Sequence, residues 1–374
     1  MQPYYADVSQ SMRGFFLAFI LFPMTPGASE KDKVAQIDAL FAGYTGDVPG
    51  AGVIVLGDGK VLLKKSYGMA NLEEKRSVTA KTNFRLASLT KQFTATCILI
   101  LADRGRLSLD DPLTKFFPDL PAFGRDIKVR HLLNHTSGLP AYEDLMPEGA
   151  QPIVDADVLA ILKRAGKPYF SPGSQFRYSN SGYALLALVV EKVSGRSFSD
   201  FLKQNIFRPL GMRATHLNVA AQRDESRRAY GYSRRGQNWE RTDQSRTSYV
   251  LGDGGIYSSV DDLRRWDAAL YTARLIRAAT LEQAMSPTVS AGPLGEDRRA
   301  TASEEEIGYG FGWFVAKYRG LPVVWHGGSS LGFRTHILRI PEKRFTVVIL
   351  TNRNEGDVAA LARKVADFYL FRAR

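Results

Sequence analysis

Strand patterns stand at both ends of this chain, and helical patterns fill the space between them. Near the N-terminus, the apolar runs Val53 to Leu56 and Val61 to Leu63 are separated by Gly57, Asp58 and Gly59, which is a hairpin signal. Near the C-terminus, Val323 to His326, Thr335 to Ile340 and Phe345 to Leu350 again read as strands, followed by a helix from about Val358 to Phe371. Helical spacing marks Val34, Ile37, Leu40, Phe41 and Tyr44 at the start. It recurs at Thr90 to Asp103, which Gly105 stops, and at Tyr183 to Val193, Ser199 to Ile206 and Val260 to Tyr271. A chain of this order predicts an α/β fold in which one sheet is closed by the two ends, with a helical insertion on one side.

At 374 residues, 44% hydrophobic and 24% charged, the chain has material for one large core and no disordered bias. Its net charge of +12 raises the question of nucleic acid. No helix-turn-helix, zinc-finger or aromatic ribonucleoprotein pattern accompanies that charge, so no nucleic-acid partner is expected. The run Arg223 to Arg228 reads as a solvated face. The single cysteine, Cys97, lies in an apolar run and reads as packing; it excludes an internal disulfide and a cysteine zinc site.

Met12 and Arg13 precede an apolar run, Gly14 to Phe22, and then Thr25, Pro26, Gly27, Ala28 and Ser29. That order is the pattern of a secretory signal or N-terminal anchor over residues 1–28, with Met12 as a candidate start. It predicts a periplasmic or secreted protein, with the cytoplasm as the alternative. Residues 29–374 are expected to form a single catalytic domain, with a sheet region at about 30–85 and 300–374 and a mostly helical region at about 86–299.

Three short motifs carry chemistry. Ser88, Leu89, Thr90 and Lys91 form the only Ser-x-x-Lys in the chain, where a loop enters the long apolar helix. Residues three apart share a helix face, so hydroxyl and amine can meet, and desolvation favours a neutral amine that takes the serine proton. The competing reading is a serine cap followed by a surface lysine. Tyr178, Ser179 and Asn180 form the only Tyr-x-Asn, on a turn before another apolar helix. A phenol there can relay a proton and an amide can orient the lysine; a helix cap and a packed tyrosine are the bland alternatives. His326, Gly327 and Gly328 lie on an apolar strand, where residues without side chains would let a substrate approach backbone N–H donors.

In this order the motifs resemble the three signatures of the penicillin-recognising serine hydrolases: Ser-x-x-Lys, Tyr-x-Asn and a Lys/His-x-Gly strand. The resemblance extends through LDDPLTKFFPDLP, IKVRHLLNHTSGLP, SPGSQFRYSNSGYALLALVVEKVSG and GDGGIYSSVDDLRRW, from about Gly50 to Phe371. It is nearest to the class C beta-lactamase-like branch, which includes beta-lactamases, DD-peptidases, D-aminopeptidases and carboxylesterases. It implies a beta-lactamase/transpeptidase-like fold: an antiparallel sheet flanked by N- and C-terminal helices, plus a helical subdomain. It further implies Ser88 as acylated nucleophile, Lys91 as general base and Tyr178 as acid/base partner. Asn180 would hold Lys91 and the substrate, and the backbone N–H groups of Ser88 and Ser329 would form the oxyanion hole. Tyr142, after a loop that borders the cleft in this family, is a candidate to stack on the substrate. No cofactor or metal is implied; the partner is a small molecule or peptide with an acyl carbonyl.

Two departures bear on the substrate. His326 stands where classical beta-lactamases have lysine, and a histidine of ordinary pKa ~6.5 is mostly neutral at pH 7. That points away from a beta-lactamase and towards an esterase or D-amino-acid peptidase; Arg334 is a candidate for the missing cation. Leu331 replaces a common proline. The stretch Gly328 to Gly332 also matches Gly-x-Ser-x-Gly around Ser330, but a strand pattern follows where a nucleophile elbow needs a helix. His131 and His135, four apart, lack the adjacent glutamate of a metalloprotease helix and read as packing or helix-end groups.

Overall fold

The computed structural model describes residues 29–149, 151–219, 226–292 and 304–371; the signal-like stretch 1–28 lies outside them. The N-terminal hairpin is β1 (Ala51–Gly57) and β2 (Lys60–Tyr67). Later strands are β3 (Val289–Ser290), β4 (Glu304–Tyr309), β5 (Phe314–Tyr318), β6 (Leu321–Ser330), β7 (Phe333–Ile340) and β8 (Phe345–Thr351). They join in one eight-stranded sheet, ordered β3-β4-β5-β6-β7-β8-β1-β2. Each pairing is antiparallel, and the two ends of the chain meet where β1 lies on β8, with Ala51 opposite Thr351 and Gly57 opposite Phe345.

The sheet is covered on both faces, which is why its central strands read as unbroken apolar runs. Successive strand side chains point to opposite faces. Val53 and Val55 of β1, with Val347 and Ile349 of β8, enter a cluster under α1 (Glu30–Leu40) and a C-terminal helix, Val358–Leu370. Ile54, Val348 and Leu350 enter the other cluster, shared with the helical region. There α2 (Lys91–Asp103) runs through the middle with every residue from Lys91 to Leu101 buried, so its pattern is apolar around its whole circumference.

Four further helices frame the site: α3 (Tyr142–Leu145), α4 (Asp155–Lys163), α5 (Asn180–Ser194) and the short α6 (Leu251–Gly254). Then α7 (Val260–Ala269) packs on the sheet, and Val358–Leu370 is α8. One ion pair, buried on both sides, links α7 to the sheet. Arg339 Nε of β7 donates to Asp267 Oδ1 at 2.7 Å, and the Thr346 hydroxyl of β8 donates to the same oxygen at 2.7 Å.

The fold agrees with the expected class and differs in detail. The first helix stops at Leu40; a 3-10 turn over Ala42–Tyr44 follows, and Phe41 stacks on Tyr67 with centroids 5.1 Å apart. Strands β4 and β5 carried no clear signal, because three consecutive glutamates and a glycine-rich bend interrupt their alternation. No helix among the described residues is long and apolar enough to cross a membrane.

Candidate active site

Ser88 lies in a 3-10 turn, Ala87–Thr90, immediately before α2. Its neighbour Ala87 has φ of 50°, a left-handed conformation that costs a residue with a side chain about 1–3 kcal/mol. Neither the turn nor α2 has a side-chain cap, so Ser88 is not spent on capping. The first residue of α2 is Lys91, fully buried. Its Nζ donates to Ser88 Oγ at 3.2 Å, to Asn180 Oδ1 at 2.7 Å and to the Asp253 main-chain oxygen at 3.0 Å. Three acceptors satisfy the three donors of an ammonium. Burial nonetheless pushes the Lys91 pKa down, while the charges of Asp253 and Glu143 pull it back up.

Asn180 takes its place because Ser179, not Asn180, caps α5: Ser179 Oγ accepts from the Gly182 N–H at 3.2 Å. That leaves the Asn180 carboxamide free to bridge, with its oxygen on Lys91 and its Nδ2 donating to Glu143 Oε1 at 2.7 Å. Tyr178 is half-buried. Its ring centroid lies 4.9 Å from Lys91 Nζ, 4.3 Å from the His135 ring and 6.1 Å from the His326 ring.

The cleft above Ser88 holds about 250 Å³ and is mostly polar: Arg85, Glu143, Asn180, Thr247, Asp253 and Ser329 contribute to its lining. Ser330 and Leu331 form its lip. The strand–turn–strand course of β6 and β7 gives Ser330 no helix to sit on, and among the described residues no basic side chain is hydrogen-bonded to its hydroxyl.

The third motif is arranged differently from expectation. His326 is 1% exposed and lies beneath the cleft rather than in its wall. Its Nδ1 is 2.7 Å from the Gly327 carbonyl oxygen, which can only accept, so Nδ1 carries the proton and Nε2 accepts from the Tyr309 hydroxyl at 3.1 Å. Burial and the Lys91 charge hold the ring neutral, with its pKa lowered to about 3. The space that Gly328 leaves open is filled by protein: a Cβ there would collide with the Leu86 carbonyl oxygen and Thr335 Oγ1. The Thr335 hydroxyl donates to that carbonyl at 2.7 Å, which ties β7 to the backbone two residues before Ser88. At Gly327 a Cβ would meet nothing nearer than His336 Nδ1 at 3.5 Å.

Tyr142 contributes to the cleft lining, as the resemblance implied, but is held tightly by its neighbours. It is 1% exposed, its N–H donates to Ser181 Oγ at 2.9 Å and its hydroxyl donates to Asp253 Oδ2 at 3.1 Å. Arg334 turns its guanidinium to the Ser330 and Phe333 carbonyls, at 2.7 and 2.8 Å. The cation in the cleft wall is instead Arg85, which donates to Ser248 Oγ at 2.6 Å. His131 accepts from the Lys128 N–H at 3.2 Å at a helix start, and buried His135 accepts from the Ser179 N–H at 3.0 Å. Among the described residues no cluster of His, Cys, Asp and Glu could hold a metal ion.

Two groups at the site escaped sequence reasoning. Asp253 lies in the glycine-rich start of GDGGIYSSVDDLRRW, where an acid between glycines ahead of an apolar run is the available signal. Glu143 follows Tyr142 and belongs to no motif in the sequence.

An eight-stranded antiparallel sheet packed on a helical region, with a serine–lysine pair at the seam between them, defines a serine hydrolase of the penicillin-recognising type. The Beta-lactamase family model matches residues 35–370, and the chain belongs to that family. It is 34% identical over 337 residues to a penicillin-binding protein of Bacillus subtilis, covering 85% of this chain and 72% of that one. A D-aminopeptidase of Gluconobacter oxydans is 30% identical over 339 residues, or 89% of this chain; the match spans only 61% of that relative. The octameric penicillin-binding protein homologue of Pyrococcus abyssi superposes with a TM-score of 0.78 at 27% identity, over 91% of this chain and 76% of that one.

Proposed function

We propose that this hydrolase cleaves small esters and amides, D-amino-acid peptides among them, through an acyl-enzyme on Ser88. The observation that carries the reading is the buried Lys91 amine within 3.2 Å of Ser88 Oγ. A neutral Lys91 takes the Ser88 proton as Oγ bonds to the substrate carbonyl carbon, and the carbonyl π electrons pass to its oxygen. Backbone N–H groups of Ser88 and Ser329 stabilise that oxyanion. As the tetrahedral centre collapses, the leaving oxygen or nitrogen departs with its bond pair and is protonated through Tyr178. Water then adds to the acyl carbon, gives up a proton by the same route, and the acid leaves with Ser88 reprotonated. Asn180 fixes Lys91 and orients the acyl group.

The small polar cleft favours short, polar acyl groups over long-chain fatty esters. The neutral His326 gives a substrate carboxylate no cation on β6, and Arg85 of the cleft wall is already engaged by Ser248 Oγ and the Gly254 carbonyl, which ranks beta-lactams and DD-carboxypeptidase substrates below esters and amides. The apolar run ahead of the catalytic domain supports action in the periplasm or outside the cell.

The test offers p-nitrophenyl butyrate, a chromogenic cephalosporin and a D-alanyl p-nitroanilide to wild type, Ser88→Ala and Ser330→Ala. We expect ester and anilide turnover in wild type and Ser330→Ala, with a loss of more than about a thousandfold in Ser88→Ala. Turnover that survives Ser88→Ala and disappears in Ser330→Ala overturns the mechanism. No turnover and no acyl adduct on Ser88 by intact mass spectrometry would identify a non-catalytic peptide-binding module.

A further inference from the structure

The base of the site has a counter-ion that the three motifs do not include. Lys91 gives its hydrogen bond to the main-chain carbonyl of Asp253, and the Asp253 carboxylate makes no contact ion pair with it. The carboxylate is held to one side, where Oδ2 accepts from the Tyr142 hydroxyl at 3.1 Å. Its segment is fixed from behind: Asp155 of α4 accepts from the Leu251 N–H at 2.8 Å and the Gly252 N–H at 3.0 Å, and the Thr94 hydroxyl of α2 donates to the Gly252 carbonyl at 2.7 Å. The carboxylate is thus close enough to attract the ammonium but not bonded to it. A contact pair would lock the proton on Lys91, whereas no charge at all would leave a fully buried amine without compensation.

We propose that Asp253 is a positioning residue of this site, a fixed counter-ion, braced by Tyr142 and by the grip of Asp155 on α6, that sets the pH at which Lys91 can take the proton of Ser88. The inference rests on the acyl-enzyme reading above. Other charged and titratable groups around the pair are Glu143 of α3, Arg85 ahead of the Ser88 turn, and Asp155. Tyr178, just ahead of α5, and Tyr183 of α5 lie with ring centroids 4.9 and 5.4 Å from Lys91 Nζ. His135 and His326 are held neutral by burial, so they add no charge above about pH 6.5. Burial raises the Asp253 pKa to about 6, so the carboxylate acts as a counter-ion to Lys91 above that pH; Lys91 and Arg85 pull it down and Glu143 pushes it up, and Asp253 is the more buried of the two acids that act on Lys91.

Removing the carboxylate withdraws an attraction that favours charged Lys91, so the amine is deprotonated at lower pH. In Asp253→Asn we expect the acid limb of kcat/KM for p-nitrophenyl butyrate to move down by about one pH unit. Asp253→Ala, which keeps the main-chain carbonyl that Lys91 uses, should move it likewise. Glu143→Gln should give a smaller shift in the same direction, because that acid is exposed and better screened. The rate of Ser88 labelling by a fluorophosphonate, followed by intact mass across the same pH series, should track each shift. An acid limb that stays in place or moves up in both Asp253 variants, with Ser88 still labelled, overturns the inference alone. Labelling that persists in Ser88→Ala overturns the underlying mechanism instead.

Discussion

Burial fixes the charge of three histidines, and this makes the fold sensitive to acid. The pKa values of His326 and His336 are lowered to about 3, and His135 also sits well below its ordinary value, in each case chiefly by desolvation. Below pH ~6.5 the unfolded chain binds protons at these sites that the folded chain refuses. The stabilisation is therefore complete above that pH and is lost progressively as pH falls towards 3. Asp155 works in the opposite sense. Its pKa is raised to about 7, so its buried carboxylate costs stability above that pH, and the cost fades as the group protonates on acidification. Melting temperature should fall as pH drops from about 6.5 to 4, with a shallower fall in His336→Gln and a steeper one in Asp155→Asn. Differential scanning calorimetry across that range checks both slopes. The same contrast explains what could be read at this scale. Ser88, Lys91 and Asn180 announce themselves because their chemistry demands those residue types at fixed spacing. Asp253 and Glu143 do not, because a carboxylate that touches a site and one that faces water look alike until packing is known.

At the scale of elements, two adjacent glycines on β6 serve unequal ends. A methyl group on Gly328 would meet the Leu86 carbonyl that Thr335 holds, and relief requires β6 to move away from the turn carrying Ser88. Gly328→Ala should therefore reduce kcat/KM at least about tenfold and cost about 1–3 kcal/mol of stability, as overpacking does. Gly327→Ala, with only ordinary contacts waiting, should stay within about threefold of wild type. Steady-state kinetics and urea unfolding of the pair measure the difference. In sequence both read as equally permissive. The strands and long helices were legible because their apolar periods survive in one dimension. The exception, β4 and β5, has its alternation broken by glutamates and glycines, and only pairing, β5 on β6 and β4 on β5, makes those segments strands.

Across the whole molecule, the sheet and the helical region are joined by apolar packing and by the Asp267–Arg339 pair. Removing one partner leaves a buried charge alone, which costs about 3–5 kcal/mol. Asp267→Ala should lose that much in denaturant unfolding, whereas the exposed pair between Lys128 and Asp110 should lose less than about 1 kcal/mol when broken. The class of fold was legible at this scale from the order of strands and helices; the seam was not, since its residues come from segments distant in sequence, 72 positions apart for Asp267 and Arg339 and 249 for Leu86 and Thr335. That separation also imposes an order in time. β1 leaves the ribosome early, yet its partner β8 begins at Phe345, and until then the edge of β1 that will receive it stays open. Ser329 is likewise translated more than two hundred residues after Ser88. A ribosome-bound nascent chain stalled before β8 should thus be catalytically silent. The slow step of folding should be this late closure of the sheet, as expected for contacts between distant parts of a chain.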